Sequence, residues 1–144
     1  MRDISLQLFF TLFGKDGSLS LEKMGRILNV SVDGALHNAL NDARLLYLCY
    51  RAVIKGEIPQ DRLSMAREEL LIREVYQKSR KFEEPMTGYP EEKKQAAYAL
   101  IEELMSTVKT DSLREKGKVL ALCDDILLMT GEKARYQREY FHWI

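Results

Sequence analysis

Proline and glycine are scarce, 3 and 8 among 144 residues. Long stretches therefore have nothing to interrupt a helix, and collagen-like or low-complexity chains are excluded. Cysteine is nearly absent. The 2 residues, Cys49 and Cys123, are far apart and belong to no CxxC or histidine pair. A disulfide-stapled scaffold and a zinc site are excluded, and two buried free thiols are expected. No run approaches the roughly 18 apolar residues of a membrane span, and the N-terminus lacks the small-residue cleavage site of a secretory leader. A soluble, cytoplasmic chain without a membrane partner is the expectation. Net charge is also missing, since 22 basic side chains balance 22 acidic ones. This excludes a uniformly basic nucleic-acid coat but not a local basic patch.

Helical periodicity is what the sequence does have, and period-two alternation is nearly absent. Leu6, Phe9, Phe10 and Phe13 follow i, i+3, i+4, i+7, and Gly14 stands where a C-cap glycine belongs. Ser18 or Ser20 can cap a second helix carrying Leu21, Met24, Ile27 and Leu28. The loop Ser31–Gly34 precedes a third helix to about Ile54, and Gly56 and Pro59 then punctuate. Asp61 is placed to cap a charged helix reaching about Phe82. Residues 83–90, with two prolines and a glycine, read as a linker. A fifth helix starts near Pro90, with the stripe Ala97, Leu100, Ile101, Leu104, Met105 and Val108. Ser112 and Glu115 form a capping-box pattern that opens a helix ending at Gly131. A short last helix bears Tyr136, Tyr140, Phe141 and Trp143. The expected fold is all-α, a bundle of about seven helices without a central sheet.

One segment carries chemistry: Leu36-His37-Asn38-Ala39-Leu40-Asn41-Asp42-Ala43. On a continuous helix, His37 and Asp42 would point about 140° apart and could not share a site. With Asn38 as N-cap, His37 lies before the helix and can fold over its first turn towards Asp42. A histidine beside a carboxylate can pair a general base with a metal ligand for activating water.

This segment resembles the third motif, His-four residues-Asp, of the DEDDh (DnaQ-like, RNase T-like) family of 3′–5′ exonucleases. The similarity runs from Asp3–Phe13 through the Gly14–Gly17 turn and the helix start Ser20-Leu21-Glu22-Lys23-Met24. After a variable loop it resumes in HNALNDARLLYLCY. It spans roughly residues 3–54, about a third of the chain, and HNALNDA is its specific part. The resemblance implies that His37 deprotonates the attacking water and that Asp42 holds one of two Mg²⁺ or Mn²⁺ ions on a nucleic-acid 3′ end.

The family pattern also requires an Asp-x-Glu on a first strand and a further aspartate, both ahead of the region that aligns. Asp3 corresponds to an aspartate that follows the second motif and is assigned no metal. The resemblance thus implies a chain that carries the third motif alone. Such a chain is expected to be inactive and metal-free by itself, and completed by a missing N-terminal half. Residues 1–56 would be the nuclease-like portion, and residues 57–144 a helical extension packed on it.

A non-catalytic interaction or oligomerisation module derived from such a nuclease is the alternative. In the family these helices pack partly against a sheet, so Leu6, Phe9, Phe10, Phe13, Leu40 and Tyr47 are expected to need another cover, such as a homodimer. The C-terminal run interleaves Arg135, Tyr136, Arg138 and Tyr140, a pattern that can stack bases and hold phosphates. Packing of Tyr140, Phe141 and Trp143 onto the bundle is the competing use. Asp124 and Asp125 face different ways on a helix. One is expected in solvent, and the other capping a helix or pairing with a lysine.

Overall fold

The computed structural model describes residues 3–34, 38–109 and 111–144. Among them the architecture is all-α, with seven α-helices and no strand. The helices are α1 (Ile4–Phe13), α2 (Leu21–Leu28), α3 (Ala39–Ile54), α4 (Gln60–Ser79), α5 (Lys94–Ser106), α6 (Leu113–Met129) and α7 (Tyr136–Tyr140). None is long and apolar enough to cross a membrane. The chain divides into two compact units. One runs through Arg67 and includes Trp143–Ile144; the other is Glu68–His142, so the division falls inside α4.

Local chemistry sets the helix ends of the first unit. The Asp3 carboxylate accepts the backbone N–H and the hydroxyl of Ser5 at 2.8 and 2.7 Å, which caps α1. Gly14, at φ 72°, closes that helix in the left-handed region that glycine adopts without strain. Ser20 caps α2, and Asn29 ends it at φ 57°. The core draws on Leu8, Phe9 and Leu12 of α1, Met24, Ile27 and Leu28 of α2, and Leu45, Cys49 and Ala52 of α3. Helix α3 touches both of the others. The first turns of α4 supply cations to helix C-termini, where unpaired carbonyls carry partial negative charge. Arg62 donates to the Arg26 carbonyl at 2.7 Å and Arg67 to that of Leu12 at 2.9 Å. The Arg26 and Arg62 guanidinium groups also lie 5.8 and 5.6 Å from the Trp143 ring centre.

The second unit is organised around α6, where Cys123 through Leu128 are all buried. On one side, Leu120 and Ala121 meet Ile72, Tyr76, Val108 and Phe141. On the other, Cys123, Ile126 and Leu127 meet Ala97 and Ile101 of α5. Gly117 permits the close approach of α6 to α4, because a Cβ there would lie 2.7 Å from both the Ile72 carbonyl oxygen and Val75 Cβ.

Three local expectations are corrected. Asp61 does not cap α4 but lies in its first turn, and Leu63 N–H bonds back to the Pro59 carbonyl at 3.0 Å. Helix α4 stops at Ser79 rather than near Phe82, because the Asp125 carboxylate takes the N–H groups of Lys81 and Phe82 at 3.1–3.2 Å. Residues 83–90 belong to the second unit and are tied down within it. Met86 N–H donates to the Leu128 carbonyl at the end of α6 at 2.8 Å.

Candidate functional site

Asn38 is the N-cap of α3, with φ −87° and ψ 127°. Its side-chain oxygen accepts the N–H groups of Leu40 and Asn41 at 3.0 and 3.4 Å. Asp42 occupies the first helical turn, half-buried, and donates its own N–H to the Asn38 carbonyl at 2.9 Å. The helix therefore begins after Asn38. His37 itself lies outside the described residues, so its relation to Asp42 is not part of the geometry. Among the described residues no three His, Cys, Asp or Glu side chains come together to hold a metal. Asp3 is committed to Ser5, whose hydroxyl and N–H hold its carboxyl below the usual range.

The C-terminal set splits in two. Arg135 and Arg138 are exposed, whereas Tyr136 and Tyr140 are half-buried against the hydrophobic core. The Arg135 guanidinium lies 5.2 Å from the Tyr136 ring centre. Both residues line a shallow cleft of about 350 Å³ together with Tyr98, Ile101, Glu102 and Glu132. The two carboxylates oppose phosphate there, and a ring packed into the core offers bases less surface to stack on.

The adjacent aspartates correct the expectation most sharply, because neither is in solvent. Asp124 is fully buried and Asp125 is 6% exposed. One oxygen of Asp124 accepts the N–H groups of Arg135 and Tyr136 at 2.8 and 2.9 Å; the other takes that of Gln137 at 3.2 Å and the Tyr76 hydroxyl at 2.5 Å. A carboxylate on α6 thus caps α7 across space. Asp125 orders the chain after α4 in the same way. Arg80 joins the two, donating to the Tyr76 oxygen at 3.0 Å and the Phe82 carbonyl at 2.9 Å, with Nε 3.9 Å from Asp125. Burial, then the hydrogen bond and charge of Asp124, pushes the Tyr76 phenol well above its usual range. The buried charges meet backbone donors and one guanidinium, which is how a buried carboxylate becomes tolerable. Two acids set between the apolar runs Val119–Cys123 and Ile126–Met129 were the available signal in the sequence.

Helix α3 has a second unusual feature, on its outer side. At 100° per residue, Tyr50, Ala43, Ile54, Tyr47 and Leu40 fall within an arc of about 80°. Leu40, Tyr47 and Ile54 are 60%, 60% and 63% exposed. Arg51, Arg44 and Lys55, all exposed, continue the arc over roughly the next 60°. The buried Leu45, Cys49 and Ala52 point to the opposite side, about 170° from the centre of the apolar arc. A surface helix ordinarily carries one apolar stripe and a charged back; α3 carries two. The faces expected to need a cover divide accordingly. Phe9 is in the core and Phe13 is half-buried, while Leu6, Phe10, Leu40 and Tyr47 are exposed. No protein-family model, curated protein or solved structure matches this chain.

Proposed function

We propose that this chain is the C-terminal part of a metal-dependent 3′–5′ exonuclease acting on nucleic-acid 3′ ends. The supporting observation is the start of α3. Asn38 is the N-cap and Asp42 stands in the first turn, the helix placement that the HNALND motif requires if residues 37 and 42 are to serve one site. In this reading His37 is the general base and Asp42 contributes to holding one of two Mg²⁺ or Mn²⁺ ions. The remaining carboxylates of the family pattern, an Asp-x-Glu and a further aspartate, are not among those that residues 3–54 supply. A chimaera tests it, with residues 3–54 of this chain replacing the corresponding C-terminal segment of an active DEDDh nuclease. Release of nucleotides from a 3′-labelled single strand with Mn²⁺ is expected, and its loss with either His37→Ala or Asp42→Ala. A folded chimaera without activity, or one indifferent to both substitutions, overturns the reading.

A second reading, a helical interaction module, is favoured by a different observation, the two apolar faces of α3. Several large side chains left in water forfeit about 25 cal/mol per Å² of apolar surface. A contiguous patch of this kind is characteristic of a surface that another molecule covers.

A further inference from the structure

We infer that the outer face of α3 docks an amphipathic helix of a partner protein whose apolar stripe is flanked by acidic side chains. The inference rests on the interaction-module reading and names its partner's chemistry; it does not depend on the nuclease reading. Leu40, Ala43, Tyr47, Tyr50 and Ile54 follow the 3–4 alternation of a heptad seam, with Leu40, Tyr47 and Ile54 in a row seven residues apart. All five are exposed. This spacing fits a helix lying alongside, since a packed helix presents knobs at that period. Tyrosine and arginine are also the residue types enriched at the centre of protein interfaces.

The charged row decides the occupant. Arg44, Arg51 and Lys55 run along one edge of the seam, and the other edge holds Ala39, Leu46 and Val53. Asp42 is the one acidic residue in α3, and it projects about 120° from the centre of the apolar arc. Two antiparallel copies would set the Arg44–Arg51–Lys55 row against itself. Two parallel copies would set it against Ala39, Leu46 and Val53, which hold no counter-charge. A second copy thus brings repulsion or nothing, whereas a helix with glutamate or aspartate on its flank meets three cations. Complementarity of this kind speeds encounter and rejects wrongly charged partners.

The test uses the full chain and two labelled 21-residue helical peptides. Both carry leucine at every a and d position, one with glutamate and the other with lysine at e and g. By fluorescence anisotropy at 50 mM salt, the glutamate peptide should bind at least tenfold more tightly than the lysine peptide. The gap should narrow at 300 mM salt. Arg44→Glu with Arg51→Glu should reverse the preference, and Tyr47→Glu should abolish binding of both peptides. Leu122→Glu, at an exposed apolar site on α6, should change neither, and helicity by circular dichroism should stay constant throughout. Equal binding of the two peptides overturns the acidic partner and leaves the interaction reading standing. So does a micromolar dimer that Tyr47→Glu dissolves, because a second copy then owns the face. Tighter binding to phosphatidylserine vesicles than to the glutamate peptide assigns the face to a membrane and overturns the proposal. A monomer that binds neither peptide nor vesicles overturns the interaction reading as well.

Discussion

Asp124 makes four hydrogen bonds with no exposure to solvent, and one atom decides whether they persist. In Asp124→Asn an amide NH₂ replaces one acceptor oxygen and faces donors. Losing charge-assisted bonds while leaving buried N–H groups unmet costs about 3 kcal/mol. A fall in Tm of roughly 10 °C is expected for a domain of this size, read by circular dichroism at 222 nm. An unchanged melting curve would mean that the carboxylate does not anchor α7. Acid–base behaviour at this scale is set by burial. It pushes the Cys49 and Cys123 thiols up to about 11, with the Asp124 charge adding to the effect at Cys123, and it raises the Tyr76 phenol too. Folded values above unfolded ones mean that the native state keeps protons which the unfolded chain releases. The contribution of these groups is therefore whole below about pH 9 and is lost as pH rises through the folded values. Thermal melts are expected to decline between pH 9 and 11, and Cys49→Ala with Cys123→Ala should flatten that decline.

Among the elements, α6 meets α4 where Gly117 has no side chain to spare. A methyl group there would press on the Ile72 carbonyl oxygen and on Val75 Cβ, neither of which is the end of a flexible chain. Gly117→Ala raises helix propensity by about 1 kcal/mol, but overpacking of this kind costs about 1–3 kcal/mol. Net destabilisation is expected, measured as a lower urea midpoint; a stabilised variant would mean that the two helices separate readily. The caps at Ser20 and Asn38 were legible as sequence, as were those at Gly14 and Ser112, because each acts on its own first or last turn. The end of α4 was not. It is set by a carboxylate more than forty residues away, and no window along the chain contains both partners.

For the whole molecule, what bears on activity is that among the described residues no three His, Cys, Asp or Glu side chains come together to hold a metal. A two-metal site holds its ions about 3.5–4 Å apart between several carboxylates, and Asp42 alone cannot assemble one. The purified chain is expected to leave a 3′-labelled single strand intact with Mn²⁺. Degradation abolished by both His37→Ala and Asp42→Ala would show that other carboxylates are recruited to the pair.

The sequence by itself determined that the chain is all-α, where most of its helices begin, and that its two cysteines are buried and free. Periodicity and capping are local, so their physics lies within a turn or two of each residue. Tertiary structure alone decided that Asp124 and Asp125 are interior ligands for two backbone segments, and that the 83–90 segment is held to the end of α6. It also decided which face of α3 is spent on the core. Two apolar stripes on one helix look alike in sequence, and only the positions of α1 and α2 select Leu45, Cys49 and Ala52 for burial and leave Leu40, Tyr47 and Ile54 in water. Burial is a property of what stands opposite a residue, and neighbours brought together across tens of residues are not written in the spacing of either.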